Sequence, residues 1–205
     1  MAHSNVHLAN IALIRLGEQP ITSLTENSRR ARLANQLFET VRDSVLSENQ
    51  WNAATKRAIL AELTEQPLFG FNRAFQLPSD FLRLTIPVED ERDDMQFPFR
   101  IEGRTLVTDE ANVKIRYVFN LKDPTRMDEF LKQAITTRLS AELSLAITGS
   151  ETKFRAMWAL YGQAIGEARF HDAIQSPVET IGGTQWLNAR FQTGFGRDAG
   201  IELGV

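Results

Sequence analysis

Residues 47 to 63 read SENQWNAATKRAILAEL, and they place a tryptophan between the polar end of one predicted helix and a run of small, basic and aliphatic residues. A tryptophan side chain buries roughly 150–250 Å² and still needs a hydrogen-bond partner for its indole N–H. A position just past a helix end offers both. We therefore expect Trp51 to be a buried anchor that joins this helix to a third helical piece, Ala53 to Leu63, which ends at the Gln66-Pro67 break.

Two helices are predicted before this stretch. Residues 5 to 16 are apolar on most faces, with Ser4 available as an N-cap and Gly17 as a terminator. A second helix is expected to begin near Ser23, where the spacing to Glu26 fits a capping box, or a turn later at Asn27. Its apolar residues recur at the spacing of one helix face, and they are Ala34, Leu37, Phe38, Val41 and Val45.

After residue 76 the hydrophobic period changes from helical to alternating. The segments LPSDFLRLTIPV (77–88) and VKIRYVF (113–119) predict strands, and FPFRI (97–101) with RTLVT (104–108) predicts a hairpin that turns at Glu102-Gly103. These strands would form a small antiparallel sheet at about 77–120. Helices return at 125–148, with Leu145 directed inward, and at 152–174, and the tight Gly149-Ser150 connection predicts an antiparallel helical hairpin.

The chain is therefore predicted to be mainly α: a helical bundle with a small antiparallel β insertion in residues 1–175, and an extended C-terminal arm in residues 176–205. Six of the 12 glycines fall in this arm, which also carries Trp186, Phe191 and Phe195. Such a segment is expected to gain order by docking on a partner surface. The apolar faces of the predicted helices indicate a single helical core, which includes Trp51, Leu37, Phe38, Leu131, Met157 and Trp158.

Composition narrows the possible functions. The net charge is −3 and the pI is about 5.7, which disfavours direct capture of nucleic acid through its phosphates. The absence of cysteine removes disulfides, thiol catalysis and thiolate metal sites. No signal peptide and no apolar run of about 18 residues is recognised, so no membrane association is expected, and assembly in the cytoplasm is predicted.

No motif gives positive evidence for catalysis, for a cofactor or for a metal. Carboxylate pairs such as Asp80 with Glu102, or Glu142 with Glu167, could be chosen in any chain with 26 acidic residues. The acidic run EDERDD (89–94) is typical of a solvated loop and lacks the spacing of a calcium loop. Arg138 and Glu142 are spaced to pair on one helix, either internally or at a subunit contact.

The cluster Arg29, Arg30 and Arg32 crowds three cations into one helical turn. Like charges at this spacing repel each other in an isolated helix. The cluster is either a solvated helix face or a docking patch for an acidic neighbour, and we carry it forward as a candidate partner-binding site together with Trp186, Phe191 and Phe195 of the arm.

Residues 9–63 resemble the N-terminal signature of the tail tubular protein A family, the head-to-tail adaptors of short-tailed phages. The matching segments, in order, are Ala12-Leu13-Ile14-Arg15-Leu16-Gly17, Pro20-Ile21-Thr22-Ser23-Leu24, Val41-Arg42-Asp43-x-Val45-Leu46 and Trp51-Asn52-Ala53-Ala54-Thr55-Lys56-Arg57-Ala58. Farther on, Leu77-Pro78-x-Asp80-x-Leu82-Arg83, Glu102-Gly103-x-x-Leu106 and Thr108-Asp109 look like the same family. The chain departs from the family at Ala53, where Phe is more usual, and after residue 176, where no match is recognised.

The resemblance implies a helical bundle with a β-rich insertion that assembles as a homo-oligomer, a dodecameric ring. Such a ring would lie in the virion neck, between the portal protein and a tail nozzle similar to tail tubular protein B, and it would let DNA pass without binding it. A neutral or acidic lumen suits that passage, and the candidate lining or rim residues are Glu89, Asp90, Glu91, Asp93 and Asp94.

Two other functions remain open from the sequence. One is a tail-associated glycan hydrolase, which release of reducing sugar by the purified protein would reveal. The other is a binding or scaffold protein that forms no ring, which electron microscopy of the purified protein would distinguish.

Overall fold

The computed structural model describes residues 4–88 and 97–175, with side chains up to residue 85 in the first range. Within these ranges the chain forms four α-helices and two small antiparallel sheets. The helices are α1 (Asn5–Leu16), α2 (Arg29–Glu48), α3 (Glu129–Thr148) and α4 (Glu151–Ile174). The strands are β1 (Thr55–Ile59), β2 (Arg73–Gln76), β3 (Phe81–Val88), β4 (Phe99–Glu102), β5 (Thr105–Thr108) and β6 (Lys114–Phe119).

Capping residues set the ends of α1 as the sequence predicts. The Ser4 hydroxyl accepts a hydrogen bond from the His7 backbone N–H at 3.2 Å. At the other end Gly17 adopts φ 85°, in the left-handed region that glycine enters without steric cost. Both predicted bounds of this helix are therefore confirmed.

The second helix begins later than its capping-box signal. Ser28 is the N-cap of α2, with its hydroxyl accepting from the Ala31 N–H. The Glu26 carboxylate instead accepts the Thr22 backbone N–H at 2.9 Å and the Thr22 hydroxyl at 3.0 Å, which holds residues 22–26 in a separate turn. The start near Ser23 was therefore wrong, whereas the alternative near Asn27 is within two residues of the observed start.

The predicted third helix, Ala53 to Leu63, is wrong. Only a short 3-10 turn, Asn52–Ala54, follows Trp51, and the chain then enters β1. The Thr55 hydroxyl donates to the Trp51 carbonyl at 2.7 Å, and β1 pairs antiparallel with β6 from Thr55 opposite Val118 onward. Residues such as Ala, Lys, Arg and Leu favour a helix locally, but pairing with a neighbouring strand overrides that preference.

The strands form two three-stranded sheets rather than the single sheet that was predicted. The first has the order β1-β6-β3 and the second β2-β5-β4. The β4–β5 hairpin confirms the predicted turn, where Gly103 adopts φ 61°. Because β1 and β2 also belong to these sheets, the β region begins at residue 55 and not at about 77.

Helices α3 and α4 pack against each other as the predicted hairpin, with Gly149 at φ 64° ending α3. Their burial differs from the prediction at one position. Leu145 was expected to face inward, but it is 49% exposed. It lies two residues beyond the buried Leu143, and two residues of a helix turn the side chain by about 200°, to the opposite face. No helix among the described residues combines the length and apolar character that crossing a membrane requires.

The hydrophobic core consists of two clusters, so the prediction of a single helical core is wrong. The first cluster lies between both sheets, the end of α2 and the helical hairpin, and it contains Trp51 and Leu131 with Trp158 packed against it. The second lies among α1, α2 and α3, and it contains Phe38 with Leu37 and Met157 packed against it. Strand residues such as Phe75 and Ile115 are as deeply buried as the helical ones.

Trp51 is fully buried, and its indole N–H donates to the Val45 carbonyl at 3.0 Å. That carbonyl belongs to the last turn of α2, where helical carbonyls lack partners within the helix. The expectation of a buried anchor is confirmed, although the element that Trp51 joins to α2 is strand β1.

The residue after Trp51 fastens this turn to α4. The Asn52 backbone N–H donates to Asp172 Oδ1 at 2.9 Å, and the Asn52 side-chain amide donates to the Asp172 carbonyl at 2.9 Å. Asp172 is only 5% exposed. Burial raises its pKa and the Asp128 carboxylate adds to this effect, while the hydrogen bond from Asn52 opposes it.

We expect Asp172→Asn to raise the melting temperature at pH 7. A carboxyl whose pKa is raised by folding destabilises the folded state when it is ionised, so its penalty is absent below the unfolded pKa and complete above the folded one. The asparagine keeps an acceptor oxygen for Asn52 and carries no charge. The gain over the wild type should therefore shrink as the pH falls toward about 4, the ordinary aspartate value.

Thermal denaturation at pH 7 and pH 4 checks this, with Asp123→Asn as the matched control. The Thr125 hydroxyl and backbone N–H hydrogen-bond to Asp123 and lower its pKa, so loss of that charge should reduce the melting temperature. A lower melting temperature for Asp172→Asn at pH 7 would contradict the penalty assigned to this carboxylate.

Candidate functional site

The three predicted docking arginines lie at the start of α2, directly after its Ser28 cap. The Arg29 guanidinium donates to the Ala146 carbonyl in the last turns of α3 at 2.9 Å. Arg30 lies 3.8 Å from the Glu26 carboxylate, and Arg32 donates to the Asn27 side chain at 3.4 Å. Each side chain is therefore turned toward a different neighbour.

Two of these arginines share a small cavity of about 150 Å³. Apolar lining comes from Leu33 and Ile147, and Ser28 supplies a hydroxyl. The charged lining residues are Arg29, Arg30 and Glu18. Arg32 is not part of the lining, so the structure brings together two of the three predicted residues. We call this cavity, with Arg29 and Arg30 at its edge, the basic pocket.

The two arginines of the basic pocket are formally balanced by Glu18 and Glu26, but the pairing is loose: Glu26 lies 3.8 Å from Arg30, and Glu18 forms no ion pair within 4.0 Å among the described residues. Among the described residues, Arg30 is the one member of the arginine cluster with an ion pair, and its Nε atom is buried without a hydrogen-bond partner there. Hydrogen bonds from Thr22 already engage its partner Glu26 and lower the pKa of that carboxyl. Cations in the first turn of a helix also oppose the helix dipole. An acidic group from a partner would give the buried Arg30 Nε an acceptor, and it would offset the unfavourable interaction of these cations with the helix dipole.

Large apolar side chains that the sequence pattern did not predict to be exposed lie elsewhere on the described surface. Leu68 and Phe69, in the loop between β1 and β2, are 98% and 89% exposed. Phe170 and Ile174, near the end of α4, are 64% and 65% exposed. The available signal was the segment Pro67-Leu-Phe-Gly70, in which a turn flanked by Pro and Gly carries apolar residues where polar ones are usual.

The remaining predicted site residues lie outside the described ranges. They are the proposed lumen or rim residues Glu89, Asp90, Glu91, Asp93 and Asp94, and the arm residues Trp186, Phe191 and Phe195. Their roles therefore stay predictions.

Arg138 forms an internal pair, which is one of the two alternatives that the sequence left open. Its guanidinium donates to Glu142 at 3.1 Å and to Glu48 at 3.4 Å, and it stacks over the Trp158 ring at 4.4 Å. The Tyr161 hydroxyl donates to Glu48 at 2.8 Å, and burial together with this hydrogen bond raises the pKa of Tyr161. The network joins α2, α3 and α4, so the interpretation as an internal pair is confirmed.

One carboxylate of each suggested glycosidase pair, Asp80 and Glu142, is engaged in structural contacts. Lys56 Nζ donates to Asp80 at 2.6 Å and the Tyr117 hydroxyl donates to it at 3.0 Å. Burial favours a higher Asp80 pKa, but these hydrogen bonds outweigh it and the net pKa is lowered, while burial and Asp80 raise the pKa of Tyr117 to about 12. A glycosidase acid needs a raised pKa, which Asp80 does not have.

No group of three or more His, Asp or Glu side chains that could hold a metal ion occurs within residues 4–85 and 97–175. A scan of protein-family models gives no match to this chain, and a search of curated proteins gives no similar sequence.

Proposed function

We propose that the chain is the subunit of a phage head-to-tail adaptor, similar to tail tubular protein A. The observation that carries the proposal is the near-complete exposure of Leu68 and Phe69 together with the partly exposed Phe170 and Ile174. Water-exposed aliphatic and aromatic side chains of this size gain free energy when a partner covers them, which makes them candidate contacts for protein association. The ordered sequence segments along residues 9–175 give the kind of assembly that this association would build.

Within this proposal the helices form a bundle, the strands from residue 55 onward form its β insertion, and residues 176–205 form an extended assembly arm. Subunits of a closed ring meet through two different faces, so each must carry two separate interaction surfaces. The apolar loop at Leu68 and Phe69 and the basic pocket lie on different elements of the described chain. They are suitable as such a pair of surfaces.

The proposed partners are further copies of the chain in a dodecameric ring, the portal protein on one side and a tail nozzle on the other. DNA would pass transiently and without specific binding. The protein would be a structural component of the virion neck, assembled in the host cytoplasm, and it would have no catalytic role in this function. Arg29 and Arg30 would bind an acidic surface of a neighbouring subunit or of the portal.

We expect the double charge reversal Arg29→Glu and Arg30→Glu to weaken ring formation or portal binding by at least about tenfold, since like charges across an interface cost several kcal/mol. Wild-type assembly should also weaken between about 50 and 300 mM salt, because salt screens exposed charges. Mass photometry of the purified chain, with and without portal protein, measures both effects.

Arg155→Glu is the matched control, because Arg155 is an exposed arginine on α4 whose ion pair with Glu151 is 79% exposed on each side. The pair Arg29→Gln and Arg30→Gln removes charge while keeping side-chain donors, and circular dichroism confirms that each variant is folded. If the double reversal assembles and binds portal like the wild type, the basic pocket has no docking role.

A further inference from the structure

A second cavity, of about 210 Å³, lies between α1 and the first turns of α3. Leu8 and Ile11 line it on the α1 side, and Arg15 enters from the end of the same helix. On the α3 side Lys132 and Glu129 contribute opposite charges. We call this cavity the α1–α3 cleft, and none of the contacts described for the basic pocket involves its residues.

Arg15 is half-buried in this cleft and has hydroxyl groups as its partners. One of its terminal nitrogens donates to the hydroxyls of Thr136, at 3.4 Å, and of Thr137. Both threonine hydroxyls donate in turn to the Gln133 carbonyl, at 3.0 and 2.6 Å, which leaves their oxygens as acceptors for the guanidinium. Among the described residues no carboxylate lies within 4.0 Å of Arg15. Burial lowers its pKa, as expected for a cation that has lost water without gaining an anion.

Lys132 brings a second cation to the same cleft. It is only 6% exposed, and its ammonium donates to Glu129 Oε1 at 2.9 Å. The Glu129 side chain itself is 72% exposed, so solvent screens much of its charge. Two cations and one carboxylate leave one positive charge in excess, and a buried cation is costly unless an anion lies nearby.

We propose that the α1–α3 cleft binds a carboxylate, supplied by an acidic side chain of a partner protein. The planar guanidinium of Arg15 retains donors in the fork arrangement that matches a carboxylate. The apolar walls of Leu8 and Ile11 suit the alkyl stem of a glutamate. The inference rests on the cleft alone and holds whether or not the chain forms a ring.

The test titrates the full-length protein with four probes at matched ionic strength: glutarate, the uncharged glutaramide, inorganic phosphate, and N-acetylglutamate methylamide, which presents a glutamate side chain between blocked peptide groups. Binding is followed by NMR chemical shifts. Glutarate and the blocked glutamate should shift residues 8–15 and 129–136, whereas glutaramide should not. Chemical-shift changes that are equal for all four probes, or that are confined to other residues, would overturn the site.

Comparing phosphate with glutarate tests whether the cleft prefers a carboxylate. Comparing glutarate with the blocked glutamate tests whether that carboxylate belongs to a protein side chain. Phosphate that binds as tightly as glutarate would overturn the assignment of a carboxylate. Binding of glutarate without binding of the blocked glutamate would overturn the assignment of a protein side chain and indicate a small free ligand. Tighter binding of glutarate and of the blocked glutamate than of phosphate supports the proposal.

Variants test the role of Arg15. Arg15→Gln should weaken glutarate binding at least tenfold, while Arg155→Gln, an exposed arginine on α4, should leave it unchanged. Should Arg15→Gln fail to fold, Arg15→Lys provides the readout, because it keeps the charge but loses the fork and should also bind at least tenfold more weakly. A folded variant at Arg15 that binds like the wild type would overturn the proposal.

Discussion

Replacing Trp51 with alanine is expected to lower the free energy of unfolding by about 3–5 kcal/mol, the range found when large buried aromatic residues are truncated. The side chain is fully buried in the cluster that both sheets share with the helical hairpin. Its removal leaves a cavity at the junction of α2 and β1, and it also leaves the Val45 carbonyl without its indole donor. Denaturant titration followed by circular dichroism gives the size of the effect.

Two further variants make this measurement specific. Trp51→Phe keeps most of the apolar volume and removes the hydrogen bond, so its loss should be smaller than that of the alanine variant. Phe69→Ala truncates an aromatic residue that is 89% exposed, so the free energy of unfolding should change by no more than about 0.5 kcal/mol. A loss below about 1 kcal/mol for Trp51→Ala would show that Trp51 does not anchor the junction.

Deleting residues 176–205 is expected to abolish ring formation or portal docking while leaving a folded chain. The four helices, two sheets and two core clusters seen in the described part of the chain are built from residues 4–88 and 97–175. The deleted segment lies outside the described residues and carries six of the 12 glycines, which permit a chain to follow a partner surface closely. The helical circular dichroism and the melting temperature should change little, and mass photometry should show the loss of assembly.

Substitution in the intact chain separates specific contacts from simple loss of length. The triple variant with Trp186, Phe191 and Phe195 changed to serine should reproduce the assembly defect of the deletion. A truncated protein that forms rings and binds portal normally would rule out the assembly arm. A truncated protein that does not fold would instead make residues 176–205 part of the core.

Local chemistry made the helices and the hairpin predictable from the sequence. Ser4 and Gly17 mark the ends of α1 through their own side chain and backbone preferences, and Gly103 marks the hairpin turn. The third helix failed because its residues favour a helix locally, whereas the β1–β6 pairing depends on a strand more than 50 residues away. Local propensity carries no information about such a partner.

The candidate sites were predictable to different degrees for the same reason. The arginine cluster is contiguous in sequence, so it could be noticed, but its pocket depends on Ile147 from another helix. Arg15 and Lys132 meet only because α1 packs on α3, and no local pattern links residues so far apart. The exposure of Leu68 and Phe69 is likewise a tertiary property, since an apolar pair in a loop is as easily buried as exposed.

We propose above that this chain assembles as an adaptor ring on a portal. Negative-stain electron microscopy of the purified full-length protein, alone and mixed with its portal protein, tests this most directly. We expect closed rings that stack coaxially on the portal, and loss of that stacking when residues 176–205 are deleted. A protein that stays monomeric at micromolar concentration and does not attach to the portal would contradict it.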